Sequence, residues 1–422
     1  MIWRSEETYY EQESYKINQN IEQAWRDYKN EIIQGTAGKN CPKGTCDCLD
    51  HQILKDALYW IHKTGSITEA DFEKGKKVPK ITHYKIRKGK LYRTKNCYFP
   101  ARCEGIEYFI LKLLSKDMII TSNDNFEILP DMDFLINVRD FPASVKWRDP
   151  LPILSFSKAN NEAHDILYPA WTFWAGGPAI STHPNGLGRW DEMKKDLLKT
   201  QENKKFPWSR KINKVFFRGS RTSNERDPLI LLSRSRPDII NASYTKNQAF
   251  KSIEKSTLGD NPAKTVHLKD HCQYKFLFNF KGVAASFRHK HLFMCKSLVF
   301  HVRPKNVDDD TIEFYYGLMK PWVHYVPIYN EDFQLSDGET QSPDTRKLRA
   351  TIDYFYRNDE IAAAIADEGF EYINEKLSFE NILCYWRKLL LEMSEISKFE
   401  LKSVDEEGGE FVEIFDRYRD EL

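Results

Sequence analysis

The sequence predicts an α/β fold built on parallel sheets, and three observations support this. Several short apolar runs have the length of buried strands. Segments with helical spacing of apolar residues lie between several of these runs, an alternation typical of strands joined by crossover helices. The chain has 422 residues, 41% of them hydrophobic and 14% aromatic. That length and composition are sufficient for about two or three domains with sizeable cores.

The individual elements are predicted in chain order from this alternation. Helical spacing covers residues 17–33 and then residues 104–115. The predicted strands cover residues 134–138, 153–156, 214–217, 274–280, 298–302 and 324–328. Helical segments between them cover residues 191–200, 228–233 and 287–295. Beyond about residue 346 the sequence predicts helices, including residues 374–397.

Three further segments define the predicted organisation. Residues 203–209 are polar and lysine-rich with Pro207, and we expect them to link two α/β halves. A closing helix near the end of the chain is expected to pack back on the first half. Residues 406–422 are predicted to form a charged, flexible tail instead of a folded element.

Charge and hydropathy argue against nucleic acid and membrane as partners. The 63 basic and 62 acidic residues leave a net charge of +1, too small for an overall field that would hold polyanions. No run approaches the roughly 18 apolar residues that would span a bilayer, and residues 1–16 do not resemble a signal peptide. Residues 419–422, however, read RDEL and resemble the KDEL-type retention address. We therefore expect a location in the lumen of the endoplasmic reticulum.

The cysteines agree with that compartment. The chain has eight, Cys41, Cys46, Cys48, Cys97, Cys103, Cys272, Cys295 and Cys384. In an oxidising lumen an even number predicts disulfides. Two alternatives stay open. Cys41, Cys46 and Cys48 could form a zinc site with His51, although the paired Cys-x-x-Cys hairpins of structural zinc sites are missing. Cys46 and Cys48 could have a redox role, although no thioredoxin-like βαβ pattern surrounds them. Asn241 begins a glycosylation sequon, which is compatible with secretion.

Residues 216–227, FFRGSRTSNERD, predict a phosphate cradle. An apolar strand runs into a small turn in which Gly219 permits tight backbone geometry and Ser220, Thr222 and Ser223 offer hydroxyls. Arg218, Arg221 and Arg226 are candidates for charge-assisted hydrogen bonds to an anion. Residues 282–291 form a second such turn, with small residues and Arg288. Two anion-suited turns fit a diphosphate, whereas one alone could be an ordinary salt-bridged turn.

Asp140 is the candidate general base. It ends a predicted strand, and the carboxyl ends of parallel strands are where α/β folds bind ligands. The alternative is an ion pair with Arg139 or a turn cap. The aromatic block at residues 168–180 can be core or binding wall. Asp131 and Asp133 match a short DxD metal pattern, although a solvated turn is the favoured interpretation, and residues 308–310 are expected to form an exposed loop.

Together these segments resemble the Rumi-type protein O-glucosyltransferases, part of a wider family of capsule-associated glycosyltransferase-like proteins. The matching blocks are FPARC (99–103), NVRDFP (137–142), KW (146–147), YPAWTFW (168–174), GLGRWD (186–191), FFRGSRTS (216–223), ERDPLILLSR (225–234), YTKNQA (244–249) and FNFKGVAASFR through KHLF (278–293). They extend over roughly residues 41–386. The resemblance implies an inverting transfer of glucose from UDP-glucose to serine in folded EGF-like repeats, including those of Notch.

The resemblance also implies residue roles. Asp140 corresponds to the catalytic base. The positions that correspond to UDP contacts are Ser220, Arg226, Val283, Ala284, Ala285, Ser286, Phe287, Arg288 and His183. Those that correspond to acceptor contacts are Tyr98, Phe99, Pro100, Ala101, Arg102, Ala179, Ile180, Ser181, Thr182, Pro184 and Gln248. The implied disulfides are Cys41–Cys48, Cys46–Cys384, Cys97–Cys103 and Cys272–Cys295.

The implied architecture is a GT-B fold, two Rossmann-like domains that face a cleft. Residues 1–40 would form an N-terminal extension and helix, residues 41–207 the acceptor domain, residues 208–373 the UDP-sugar domain, residues 374–405 the returning helix and residues 406–422 the tail. We expect a monomer that needs no metal or cofactor beyond its UDP-glucose donor. Two alternatives stay open: transfer of xylose from UDP-xylose, and a non-catalytic folding factor for EGF repeats.

Overall fold

A computed structural model describes residues 2–34, 51–115, 129–174, 189–202, 205–245, 252–332, 344–407 and 409–415. In this part of the chain the helices are α1 (Ile2–Ile33), α2 (His51–Thr64), α3 (Glu69–Lys76), α4 (Pro100–Leu114), α5 (Trp190–Glu202), α6 (Asp227–Ser235), α7 (Ile253–Thr257), α8 (Leu268–His271), α9 (His289–Phe293), α10 (Arg346–Arg357), α11 (Asp359–Lys376) and α12 (Phe379–Ile396). None of these helices is long and apolar enough to cross a membrane.

The described strands form two sheets. They are β1 (Ile81–Arg87), β2 (Lys90–Thr94), β3 (Met132–Asn137), β4 (Ile153–Ser155), β5 (Ile166–Leu167), β6 (Ile212–Gly219), β7 (Ile240–Tyr244), β8 (Tyr274–Asn279), β9 (Leu298–Arg303), β10 (Val326–Tyr329) and β11 (Phe411–Ile414). The first sheet has the order β11-β2-β1-β3-β4-β5, and the second has the order β10-β9-β8-β6-β7. The α/β class predicted from the sequence is confirmed.

The second sheet is parallel throughout, as predicted. Each of its neighbouring strands pairs in the parallel sense, and β6 lies between β7 and β8. The apolar residues of β8 and β9 are buried on both faces, which explains why these strands read as mainly apolar runs. Because parallel strands end at one edge, the turns after β6 and β8 meet there.

The first sheet is mixed, so the prediction of parallel sheets is wrong for half of it. Only β3, β4 and β5 are parallel, while β1, β2 and β11 are antiparallel to their neighbours. The β1–β2 hairpin escaped the sequence analysis because β1 buries polar residues, including the fully buried Lys85. Lys88 and Gly89 form the hairpin turn with φ of 49° and 72°, a left-handed pair that glycine adopts readily.

Asp133 explains why a lysine can be buried in β1. Its carboxylate accepts a hydrogen bond from Arg87 and lies 2.9 Å from His83 Nε2 and 3.7 Å from Lys85 Nζ. Burial raises the pKa of Asp133, but the His83 hydrogen bond and the nearby positive charges outweigh it and lower the pKa. The expectation of a solvated turn is therefore wrong for Asp133, which is a buried ion-pair centre.

The end of the chain is also more ordered than predicted. Residues 411–414 add β11 to the open edge of β2, so the expectation of a flexible tail is wrong for this segment. Phe411 is 8% exposed and packs edge-on against the His83 ring. The charge of Glu413 is paired with Lys90 across the strands. Residues 416–422, which include the RDEL sequence, lie outside the described residues.

Helix α12, near the end of the chain, packs back on the first half of the molecule. It packs against α2, α4 and β3. Trp386 on this helix is fully buried beside the Tyr168 ring, with ring centroids 5.3 Å apart. The sequence predicted one helix over residues 374–397, whereas α11 and α12 meet at Leu377 and Ser378, where the Ser378 side chain caps α12.

Candidate functional site

A cavity of about 340 Å³ lies between the two halves of the molecule. Its first-half wall contains Arg102, Asp140 and Phe156. Its second-half wall consists mainly of the turns that follow β6 and β8. That wall is lined by Arg218, Gly219, Ser220, Thr222, Arg226, Thr245, Thr265, Val266, Leu268, His271, Gly282, Val283, Ala284, Ala285, Ser286, Phe287 and Arg288. The cavity thus unites the candidate base with the two anion-suited turns.

Asp140 sits on a turn that the buried Asn137 holds in place. Asn137 Nδ2 donates to Phe141 O at 2.8 Å and to Ser155 Oγ at 2.9 Å, and Asn137 Oδ1 accepts from Arg139 N at 3.0 Å. The Asp140 carboxylate is 39% exposed and lines the cavity. It does form an ion pair, but with Arg102 and not with the Arg139 proposed from the sequence.

Arg102 fixes the direction of that carboxylate. Its Nη1 lies 3.1 Å from Asp140 Oδ1 and donates to Val138 O at 2.5 Å. Its guanidinium is held between the rings of Phe99 and Trp171, 4.3 Å from each centroid. Trp171 is fully buried, so this part of the aromatic block belongs to the core, and its ring packs against the Arg102 guanidinium.

The loop that carries Arg102 is closed by a disulfide. Cys97 and Cys103 are bonded, as the resemblance implied, and α4 begins within the loop at Pro100. The loop places Tyr98 and Phe99 on the surface, 45% and 37% exposed. The two rings contact each other with centroids 4.4 Å apart. These are the positions for which the resemblance implied acceptor contacts.

Arg226 ties the two turns of the second half together. Its side chain is buried and donates to Ser220 O and to Lys281 O, each at 2.5 Å. Arg288 makes a similar link by donating to Arg218 O. Arg226 Nε and Thr222 Oγ1 are buried without a hydrogen-bond partner among the described residues. Both line the cavity and can serve a ligand there.

The second-half wall is positively charged. Burial lowers the pKa of Arg226 to about 10. Burial, and then the nearby Arg226 charge, lowers the pKa of Arg288 to about 9. Both arginines therefore remain protonated at neutral pH. Asp140 is the carboxylate among the described lining residues, and it is already paired with Arg102, so the cavity favours an anionic ligand.

Gly219 and Gly282 allow the two turns to approach each other. A Cβ on Gly219 would lie 3.0 Å from the Phe217 ring and 3.4 Å from the Arg288 guanidinium. A Cβ on Gly282 would lie 3.2 Å from Ala285 O. A side chain at either position would press on the surface that lines the cavity.

Arg221 and Ser223 do not belong to the cavity wall, contrary to the sequence analysis. Arg221 makes a two-pronged ion pair with Asp227, at 2.8 and 2.5 Å. Ser223 Oγ donates to Glu225. These groups hold the start of α6 and leave the cavity to Ser220, Thr222 and Arg226. Arg218 does line it, although its side chain also donates to Asn241 Oδ1.

Other lining residues were not identified from the sequence. Phe156 follows β4, and Thr245 follows β7. Their positions at the carboxyl ends of parallel strands are the signal that could have found them. Thr265, Val266, Leu268 and His271 come from the segment before β8, and only the folded chain brings them to the cavity.

Several of the implied site residues lie outside the described residues. They are Ala179, Ile180, Ser181, Thr182, His183, Pro184 and Gln248. The same holds for Cys41, Cys46 and Cys48, so the pairing of Cys46 with Cys384 stays a prediction, although Cys384 is disulfide-bonded. The Cys272–Cys295 bond is present as implied. In the described part of the chain no three His, Cys, Asp or Glu residues gather into a metal-binding group.

The family model for glycosyl transferase family 90 matches residues 41–412. The chain belongs to this family. Among its relatives, protein O-glucosyltransferase 1 of Homo sapiens is 45% identical over 361 residues, which are 85% of this chain and 82% of the human protein. O-glucosyltransferase rumi of Drosophila melanogaster is 44% identical over 396 residues, 93% and 86% of the two chains. The resemblance drawn from the sequence motifs is confirmed, and the cavity between the two halves is the candidate active site of this family 90 protein.

Proposed function

We propose that this protein transfers glucose from UDP-glucose to the serine hydroxyl of Cys-x-Ser-x-(Pro or Ala)-Cys in folded EGF-like repeats, including those of Notch. The observation that carries the proposal is the cavity in which one carboxylate, Asp140, faces two arginine-bearing turns. The names of the relatives, protein O-glucosyltransferases, support the choice of sugar and of a protein acceptor.

The donor diphosphate would lie against the second-half wall. Arg226 and Arg288 supply positive charge, and Thr222 Oγ1 and Arg226 Nε supply unpaired hydrogen-bonding groups. Backbone N–H groups of residues 283–288 would complete the cradle. These groups can stabilise the negative charge that grows on UDP as it leaves, so the proposed reaction needs no metal.

Asp140 would act as the general base. A serine hydroxyl is a weak nucleophile, and a positioned carboxylate can take its proton as the oxygen attacks the anomeric carbon. The carbon–oxygen bond to serine forms while the bond to UDP breaks on the opposite face. One displacement therefore inverts an α-linked donor into a β-linked product, and a single carboxylate suffices.

The acceptor would rest on the first half, on a surface that includes Tyr98, Phe99 and Arg102. The rings of Tyr98 and Phe99 are exposed, and the Phe99 ring packs against Arg102, the ion-pair partner of Asp140, which supports this placement. Residues 179–184 and Gln248 are proposed to contribute from outside the described residues. We further propose that the two halves form a GT-B pair, and that the protein works as a monomer in the endoplasmic reticulum lumen.

Mass spectrometry of a folded EGF-like repeat incubated with UDP-glucose or UDP-xylose tests the proposal. We expect the repeat to gain one hexose and to gain it faster than a pentose. A reduced, unfolded repeat of the same sequence is expected to react more slowly because it must be ordered on binding. Preferred pentose transfer would make the protein a xylosyltransferase, and no transfer of either sugar would favour a non-catalytic folding factor.

A further inference from the structure

A second cavity, of about 430 Å³, shares no lining residue with the candidate active site. It opens at the ends of β9 and β10, beside the start of α2. Its volume is within the roughly 300–1,000 Å³ of ligand pockets. Its polar lining includes His51, Lys55, Asn160, His301, Arg303 and Asp310. Aromatic and apolar side chains, among them Tyr325, Tyr329, Ile312 and Met319, complete the wall.

Arg303 offers this cavity an unused hydrogen-bonding edge. Its side chain is 8% exposed; Nη1 donates to Tyr325 OH at 2.8 Å, and Nε donates to Pro304 O at 3.3 Å. The remaining nitrogen, Nη2, has no hydrogen-bond partner among the described residues. A buried guanidinium with a free edge is suited to an oxyanion, which it can bind with charge-assisted hydrogen bonds.

The acidic side chains of the lining do not oppose an anion, because each is already engaged. Asp308 accepts from Lys55 at 3.0 Å and from Asn160 at 3.1 Å. Asp310 lies 3.4 Å from His301 Nε2 and 3.7 Å from Arg303 Nε. His51, at the mouth, makes no hydrogen bond within the described chain and adds a second potential donor.

We propose that this second cavity binds a small organic oxyanion, a phosphate or carboxylate carried on a ring, with Arg303 as its anchor. The charged group would take the free edge of Arg303 and approach His51. The ring would lie against Tyr325, Tyr329 and the apolar side chains. The proposal does not depend on the identity of the sugar donor, since the two cavities are separate.

A chain of side chains connects this cavity to the candidate donor site. Ser286, which lines the first cavity, donates through Oγ to Asn279 Oδ1 at 2.6 Å. Asn279 Nδ2 lies 2.8 Å from His301 Nδ1, and His301 faces Asp310. A ligand that repositions Asp310 or His301 can therefore change the position of Ser286, and we expect the two sites to influence each other's affinity.

Calorimetric titration of the whole protein, saturated with UDP to occupy the first cavity, tests the proposal. The probes are glucose 1-phosphate for a phosphate and glucuronate for a carboxylate, with uncharged glucose as the control. We expect one of the two anions to bind with one site per chain, and glucose not to bind. Arg303→Met should weaken that binding roughly tenfold or more, as expected for a lost charge-assisted hydrogen bond.

His51→Ala keeps the test decisive should Arg303→Met fail to fold, because His51 is exposed and makes no hydrogen bond or ion pair among the described residues. It should weaken probe binding several-fold and leave the melting temperature unchanged. The proposal is overturned if neither anion binds at millimolar concentration, with or without UDP, or if the folded variants bind it as tightly as the natural protein.

Discussion

At the scale of single residues, Arg102 determines how Asp140 can act. The guanidinium is held by Val138 O and two aromatic rings, so it presents the Asp140 carboxylate in one direction. A base that must meet a serine proton depends on such alignment. Arg102 is therefore a positioning residue for the proposed reaction, in addition to the acceptor contact proposed for it.

Replacing Arg102 by Met should lower kcat for glucose transfer roughly tenfold or more and leave UDP affinity unchanged, because the change disturbs the orientation of the base and not the donor wall. Arg139→Met is the matched control, since Arg139 contacts Asn137 Oδ1 and not Asp140. Steady-state kinetics with UDP titrations measure both quantities. Equal losses in the two variants would show that Arg102 has no such role.

Arg288 belongs to the wall proposed to bind the donor and should give a different pattern. Arg288→Ala removes a half-buried positive charge and the link to Arg218 O, so UDP should bind roughly 10- to 100-fold more weakly and turnover should fall as well. Arg234→Ala is the control, because its pair with Asp260 is at the surface. Calorimetry with UDP decides; unchanged affinity in Arg288→Ala would remove this residue from the donor site.

At the scale of elements, β11 is an expected contributor to stability. Phe411→Ala should lower the free energy of unfolding by about 3 kcal/mol, because a buried ring beside His83 and Lys85 is lost. Phe415→Ala is the control, since Phe415 is 68% exposed at the end of the same segment. Urea unfolding measures the two values, and equal stability of both variants would mean that β11 adds nothing to the sheet.

The strands that the sequence predicted are those whose buried residues are mainly apolar. Strands β3, β4, β6, β8, β9 and β10 were recognised because mainly apolar runs mark strands covered on both faces. Strand β1 was missed because Lys85 and His83 are buried in it, and their partner Asp133 on β3, together with Lys402 O for Lys85, makes this possible. Strand β11 was missed because its charges are paired only once it lies beside β2.

At the scale of the whole molecule, the stability should decrease in acid partly through His289. Burial, and then the nearby His301 and Lys290, keeps the pKa of His289 well below its usual value in the folded protein. Below about pH 6.5 the unfolded chain takes up a proton there and the folded protein does not. The contribution of His289 is therefore complete above pH 6.5 and falls by about 1.4 kcal/mol per pH unit below it.

His289→Gln isolates this contribution. Burial raises the pKa of Glu313 to about 7, so this carboxyl takes up a proton in the folded protein over the same range and acts in the opposite direction. Both proteins contain Glu313, so the difference between their urea-unfolding curves at pH 7.5 and 5.5 reports on His289. We expect the natural protein to lose more stability than the variant between these values; equal losses would contradict the assignment.

The candidate site could be predicted in its parts but not as a whole. Asp140 and the turns with Arg226 and Arg288 were found because strand ends and small, charged turns have local signatures. These residues line one cavity because of how the two halves pack, and no local sequence pattern reports that packing. For the same reason the sequence did not indicate that Arg221 lies outside the cavity, since its ion pair with Asp227 forms in the folded chain.

The proposed reaction depends most on Asp140, the base that would act opposite a wall that binds UDP without it. The decisive measurement is the transfer rate of Asp140→Asn to a folded EGF-like repeat at saturating UDP-glucose, alongside its UDP affinity. We expect transfer to fall at least roughly a hundredfold while UDP affinity stays nearly unchanged, because an amide cannot accept the serine proton. A variant that transfers glucose at the natural rate would contradict the account.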